Sequence, residues 1–115
     1  MIMHLKSDNR VSQAVQYGGF LETAGQVATD TTVGIAGQTQ QVLVAIDGLL
    51  SALGVTKNEL TRIQIWLADM SHFDEMNVVY ERWLSGYPKP VRACVESRLA
   101  GREYLVEIQA FGFIG

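Results

Sequence analysis

The sequence predicts an α+β fold of two layers, in which two helices cover one face of a mixed sheet. Three observations predict this class. Hydrophobic residues make up 48% of the 115 residues, which is enough for a packed core. Two segments place apolar residues at helical spacing, and about five short segments alternate in the manner of strands. The elements follow the order β-β-α-β-α-β-β, and residues 1–115 are expected to form a single domain.

The first two strands are predicted to form a β-hairpin. Val11 to Gln16 alternates between apolar and polar residues, and Phe20 to Ala24 follows as a second strand. Between them, Gly18 and Gly19 supply the conformational freedom that a tight hairpin turn requires.

The first helix has the clearest periodicity in the chain. Its apolar positions, which recur at spacings of three, four or seven, are Ile35, Val42, Ile46, Leu49 and Leu53. Thr31 or Thr32 is expected to cap its start, and Gly54 stands where a left-handed residue ends a helix. The segment Thr56–Glu59 then fits a capping box for a short helical turn.

A third strand and a second helix follow. Alternating Ile63, Ile65 and Leu67 indicate the strand. Ser71 is expected to cap the helix, and Gly86 lies where it should end. The apolar stripe of this helix consists of Phe73, Met76, Tyr80, Trp83 and Leu84.

The next strand carries an arginine. Val91, Ala93 and Val95 alternate with Arg92, Cys94 and Glu96, which predicts one buried face and one more polar face. A turn near Ala100 leads to the last strand, from Tyr104 to Phe113. If these two strands form a simple hairpin, Arg92 faces Glu107 and Cys94 faces Leu105.

The pattern alone leaves two interpretations of Arg92 and Glu107 open. They can form a cross-strand ion pair, which stabilises a sheet by about 0.2–1 kcal/mol. Alternatively, Arg92 binds the carboxylate of a ligand through two parallel hydrogen bonds, and Glu107 handles a water or a proton.

Composition excludes several classes of protein. The formal net charge is −3 and the basic residues are scattered, which disfavours nucleic-acid binding. The single cysteine rules out a disulfide within the chain and zinc sites built on two or four cysteines. The first ten residues are too polar for a signal peptide, and the chain has no apolar run long enough to span a membrane. A cytoplasmic location is therefore expected.

Several segments together resemble the RidA/YjgF family of reactive-intermediate deaminases. The segments RACVE (92–96) and YLVEIQAFG (104–112) carry the resemblance, and SQAV (12–15), AGQV (24–27) and FDEMNVVYERWL (73–84) extend it over nearly the whole chain. The resemblance implies a fold like that of chorismate mutase. It also implies a homotrimer with its sites between subunits.

The activity implied by the resemblance is hydrolysis of 2-imino or enamine acids, such as 2-iminopropanoate, to 2-keto acids and ammonia. No cofactor or metal is expected. Arg92 and Glu107 take the catalytic positions, with Arg92 holding the substrate carboxylate and Glu107 activating a water. Cys94, Gly25 and Asn77 fall on the remaining substrate-binding positions. The partner of the protein is then a small carboxylate-bearing substrate.

Two positions depart from the family pattern. Val11 and Ala24 stand where many members carry hydroxyl side chains, which implies a more apolar pocket, a different imino acid or a weak activity. A trimer that binds small carboxylates for regulation is the main alternative, and a ribonuclease or inhibitor of translation is a third.

Two of the site residues also have purely structural interpretations. Cys94 has no histidine near it in sequence, so it fits a small apolar residue better than a nucleophile. Asn77 lies on a helix that otherwise faces the core, and it is either a structural residue or part of the site.

Overall fold

Six strands form one mixed sheet in the computed structural model, which describes residues 1–115. The strands are β1 (Ile2–Leu5), β2 (Ala14–Tyr17), β3 (Phe20–Thr23), β4 (Leu60–Leu67), β5 (Val91–Glu96) and β6 (Val106–Phe113). Their order across the sheet is β1-β2-β3-β6-β4-β5. Helices α1 (Ile35–Ala52) and α2 (Phe73–Trp83) pack on one face. The α+β architecture is confirmed, with one more strand than predicted.

The additional strand is β1, which the sequence pattern did not reveal. It pairs antiparallel with β2, from Ile2 opposite Tyr17 to Leu5 opposite Ala14. Three of its four residues are exposed and Leu5 is only half-buried. Because β1 buries neither face, it has no apolar alternation to detect. The predicted hairpin of β2 and β3 is confirmed, and Gly18 adopts a positive φ of 57° in its turn.

The helix ends agree with the sequence only in part. Gly54 is left-handed and follows α1, and Thr56 makes the predicted capping box. Neither Thr31 nor Thr32 caps α1, whose N-cap is Gly34 without a side-chain bond.

The expected cap of the second helix is also wrong. A 3₁₀ turn over Met70–His72 precedes α2, so Ser71 lies before the helix, and the Asp69 carboxylate accepts its N–H at 2.9 Å. Both errors have one cause, since the side chains of Asp30 and Asp69 bind the backbone before each helix starts.

The core lies mainly between the helices and strands β4 and β6. Ile63, Ile65 and Leu67 of β4 are fully buried on the helix face. From β6 and the helices, the same cluster includes Val106, Ile108, Ala110, Val42, Ile46, Met76 and Tyr80. Neither helix is long and apolar enough to cross a lipid bilayer.

The predicted hairpin of the last two strands is wrong. β5 pairs parallel with β4, with Arg92 beside Ile63, whereas β6 pairs antiparallel with the other edge of β4, with Glu107 beside Trp66. Helix α2 provides the crossover that a parallel β4–β5 pair requires. Residues 97–105 connect β5 to β6 across the end of β4, so no tight turn joins these two strands.

The predicted burial of β5 is also reversed. Arg92 and Cys94 lie on the helix face, since their neighbours in β4 are the buried isoleucines. The valines face the side without helices, where Val91 is 69% and Val95 44% exposed. β5 is an edge strand, so no seventh strand or third helix covers it. The sheet face of these valines is covered by neither helix, and it mixes apolar side chains with polar ones such as Gln64 and Gln109.

Gln38 on α1 fixes the connection that leads into β6. It is fully buried, donates to the Glu103 carbonyl at 2.9 Å and accepts from the Leu105 N–H at 2.9 Å. We expect Gln38→Leu to lower the free energy of unfolding by about 3 kcal/mol, because it leaves two backbone groups without partners. Chemical denaturation measures the loss. The exposed Gln40→Leu on the same helix is the control, and equal stability of the two variants would contradict this role.

Candidate functional site

Arg92 is held at the edge of the sheet by helix α2. Its Nη1 donates to Asn77 Oδ1 at 2.6 Å. Its Cζ lies 4.8 Å from the centroid of the Tyr80 ring and 5.6 Å from that of Phe73. Such stacking of a guanidinium on aromatic rings is attractive and restricts its orientation. The side chain is therefore aimed by three neutral neighbours while the residue stays exposed.

The ion-pair interpretation of Arg92 is wrong for this chain. Its hydrogen-bond partner is a neutral amide, and Glu107 lies on the opposite face of the sheet. Arg92 also lines an open cavity of about 330 Å³, together with Asn77, Tyr80, Glu81, Leu84, Lys89 and Pro90. A guanidinium has five N–H donors, so most of its capacity for binding an anion remains available.

Cys94 follows Arg92 on the same face of β5. Its side chain is half-buried and packs against the core cluster. Burial raises the pKa of the thiol, and the positive charge of Arg92 opposes this only in part. A thiol with a raised pKa is a poor nucleophile at neutral pH. The structure therefore supports the packing interpretation of the Cys94 side chain over a nucleophilic one.

Glu107 and Gly25 meet on the other face of the sheet. Gln26 and Ile108 exchange two backbone hydrogen bonds, of 2.8 and 3.1 Å, which bring Gly25 against β6. A Cβ on Gly25 would overlap the carboxylate of Glu107. With glycine at position 25 the carboxylate lies directly against the backbone, and any larger residue would force the Glu107 side chain to move. Burial raises the pKa of Glu107 above its usual value of 4.5, so the carboxylate is easier to protonate than in water.

Val11 and Ala24, the two positions that depart from the family pattern, share a cavity. They line a cavity of about 320 Å³ together with Gln109, which shares the sheet face of Glu107. Val11 is 48% exposed. The two positions therefore add apolar surface to this cavity, whose lining also includes the hydroxyl-bearing Ser12 and Thr23.

The site residues form two groups that do not meet within one chain. Arg92, Asn77 and Cys94 lie on the helix side, whereas Glu107 and Gly25 lie on the uncovered side. β4 separates the two strands, so their backbones are about 10 Å apart. One small molecule cannot contact both groups of a single chain.

Sequence reasoning missed the aromatic platform under Arg92. Phe73 and Tyr80 were assigned only to the apolar stripe of α2. Phe73, Asn77 and Tyr80 are spaced by four and three residues, so they share one helix face. That spacing, with a polar residue between two aromatic ones, was the available signal. Among the His, Cys, Asp and Glu side chains, no group of three or more is arranged to hold a metal ion.

Comparison with known proteins identifies the family. The family model described as Endoribonuclease L-PSP matches residues 1–114. A RutC family protein of Haemophilus ducreyi is 37% identical over 108 residues, which cover 94% of this chain and 92% of that protein.

Two solved structures have the same fold. The crystal structure of NMB1025, a YjgF family member from Neisseria meningitidis, matches with a TM-score of 0.95 and 35% identity over 100% of this chain and 96% of that one. The Rid family protein YyfA from Yersinia pestis matches with a TM-score of 0.86 and 28% identity, over 94% and 90% of the two chains. The sequence and structural matches agree along the length of the molecule, and the chain belongs to the RidA/YjgF family.

Proposed function

We propose that this protein hydrolyses 2-imino acids and their enamine tautomers to 2-keto acids and ammonia, at sites between the copies of a homotrimer. The observation that carries the proposal is the environment of the Arg92 guanidinium. An exposed guanidinium that is oriented by neutral groups and borders a cavity is prepared to bind a carboxylate. Family membership supplies the reaction class.

The proposed reaction adds water across a carbon–nitrogen double bond. Arg92 binds the substrate carboxylate, which fixes the position of the adjacent imine carbon. The oxygen of a water molecule attacks that carbon while Glu107 accepts a proton from the water, and Glu107 then returns this proton to the nitrogen. The resulting amino alcohol loses ammonia and becomes the keto acid. The amide oxygen of Asn77 keeps the guanidinium oriented throughout.

The separation of the two residue groups supports a site shared between copies. Arg92 lies on an edge strand, and Glu107 lies on the uncovered face. A second copy that covers the exposed valines of β5 would bury apolar surface. The Glu107 of that second copy would then approach strand β5 of the first copy. Light scattering should give about three times the chain mass of 12.7 kDa.

The main alternative is a trimer that binds small carboxylates without catalysis, because the geometry of Arg92 serves binding equally well. An enzymatic assay separates the two. A dehydratase acting on serine generates 2-iminopropanoate in solution, and semicarbazide traps the imine that remains. We expect the protein to increase pyruvate formation and to reduce the trapped imine in proportion to its concentration.

One control and two further measurements decide between the candidate functions. Heat-denatured protein should leave the spontaneous rate unchanged. Pyruvate binding without acceleration of imine hydrolysis would establish the alternative and contradict the enzyme. Because the matching family model is described as an endoribonuclease, nuclease-free protein should also be incubated with RNA at low salt, where intact RNA is the expected result.

A further inference from the structure

A second cationic cavity lies beyond the other end of β5. Arg98 and Arg102 line a cavity of about 390 Å³ together with Ala68, Leu99, Gly101 and Tyr104. Arg98 follows Arg92 by six residues, which corresponds to about 20 Å along an extended strand. This cavity is therefore separate from the one beside Arg92, and it has no part in the proposed hydrolysis.

The two arginines have no partner of their own. Their guanidinium groups make neither a hydrogen bond nor an ion pair within the chain, and both residues are exposed. Two cations four residues apart in one short loop repel each other. An anion that binds both at once removes this repulsion. Arginine forks match phosphate oxygens with two parallel hydrogen bonds each.

The backbone of the same loop offers further donors. The N–H groups of Leu99, Gly101 and Arg102 find no acceptor in the chain, whereas the flanking N–H groups of Ser97 and Tyr104 are bonded. Successive N–H groups in a turn can form an anion-binding concavity, and the Tyr104 N–H closes such a turn on the Gly101 carbonyl. The unused donors therefore concentrate between residues 98 and 103, where the two guanidinium groups also lie.

The remaining walls are apolar or aromatic. Leu99 and Tyr104 are half-buried and Ala68 completes the lining. One acid borders the loop, since the carboxylate of Glu103 lies against Gly101. We propose that this loop, residues 98–104, binds a phosphate monoester attached to a small aromatic or apolar group. Its phosphate contacts Arg98 and Arg102, and its apolar part contacts Leu99 and Tyr104.

Phenyl phosphate is the probe for this site, and isothermal titration calorimetry at low salt measures its binding. Benzoate and inorganic phosphate are the comparison ligands. We expect saturable binding of phenyl phosphate, and at least tenfold weaker binding of benzoate, which carries one negative charge. Inorganic phosphate should bind more weakly than phenyl phosphate, because it lacks the ring.

Substitutions test whether phenyl phosphate binds at this loop. Arg98→Ala and Arg102→Ala should each raise the dissociation constant of phenyl phosphate about tenfold, whereas Arg10→Ala should leave it unchanged. Glu103→Gln should tighten binding several-fold, because the substitution removes a negative charge that lies against Gly101 and repels the phosphate. Arg92→Ala should retain full binding here even if it abolishes imine hydrolysis, so the two proposals fail independently.

Several results would overturn the proposal. Absence of saturable binding of phenyl phosphate below about 10 mM would exclude a useful site. Unchanged binding in the Arg98 and Arg102 variants would place the ligand elsewhere. Loss of binding in Arg92→Ala would show that phenyl phosphate occupies the proposed imine site. Equal affinity for benzoate would contradict the preference for a doubly charged group.

Discussion

Replacing Arg92 by alanine is expected to lower kcat/KM for 2-iminopropanoate hydrolysis about a thousandfold, or about 4 kcal/mol of transition-state stabilisation. The substitution removes the two charge-assisted hydrogen bonds to the substrate carboxylate, and it also removes the constraint that places the imine carbon. Much of the loss should appear as a higher KM, since the carboxylate is bound before reaction as well as during it. The semicarbazide assay at several substrate concentrations measures both constants.

Three further variants test why Arg92 matters. Arg92→Lys keeps the charge but loses the planar fork, so it should recover only part of the rate. Asn77→Asp preserves shape but puts a carboxylate 2.6 Å from the guanidinium, so it should inhibit by occupying Arg92. Arg82→Ala, which removes an exposed arginine from the same helix, is the control. Full activity of Arg92→Ala would exclude the proposed site.

Replacing Glu107 by glutamine is expected to lower kcat by a factor of about 10²–10⁴, the usual contribution of a general base. The amide keeps the shape of the side chain beside Gly25 but cannot accept the proton of the attacking water. The wild-type rate should fall on acidification at a pH above the usual carboxyl pKa of 4.5, because burial raises the pKa of Glu107. A kcat profile from pH 4 to 8 measures this, and an unchanged kcat in the variant would exclude the role.

The same substitution should make the protein more stable at neutral pH. A carboxyl whose pKa is higher in the folded state binds more protons when folded, so its effect on stability becomes less favourable as pH rises from 4.5 through the folded pKa. Glutamine carries no such penalty. Glu107→Gln should therefore melt above the wild type at pH 7 and together with it at pH 4. Lower stability of the variant at pH 7 would contradict the burial argument.

Mixing the two inactive variants tests whether each site draws on two copies. If Arg92 and Glu107 of a site come from different chains, one quarter of the sites in a random mixture of Arg92→Ala and Glu107→Gln has both residues intact. Refolding an equal mixture should then restore about a quarter of the wild-type activity. If both residues came from one chain, every chain would lack one of them and the mixture would stay inactive.

The elements that the sequence predicted well are those with one strongly buried face. Strand β4 and helix α1 bury their apolar residues against each other. The buried positions are therefore apolar at regular spacing, as in Ile63, Ile65 and Leu67 and in Val42 and Ile46, and this spacing is visible in the sequence. β1 was missed because it buries neither face. The helix starts were misplaced because Asp30 and Asp69 bind backbone groups just outside each helix.

The sequence by itself determined the fold class, the family and the identity of the residues with useful chemistry, because these depend on residue types and on short-range spacing. The tertiary structure decided which of them meet. β4 lies between β5 and β6 and so separates Arg92 from Glu107. The pairing registers, with Arg92 beside Ile63 and Glu107 beside Trp66, place the two on opposite faces. Strand neighbours are chosen by the burial of the whole sheet, to which residues far apart in the chain contribute, and no local pattern encodes that choice.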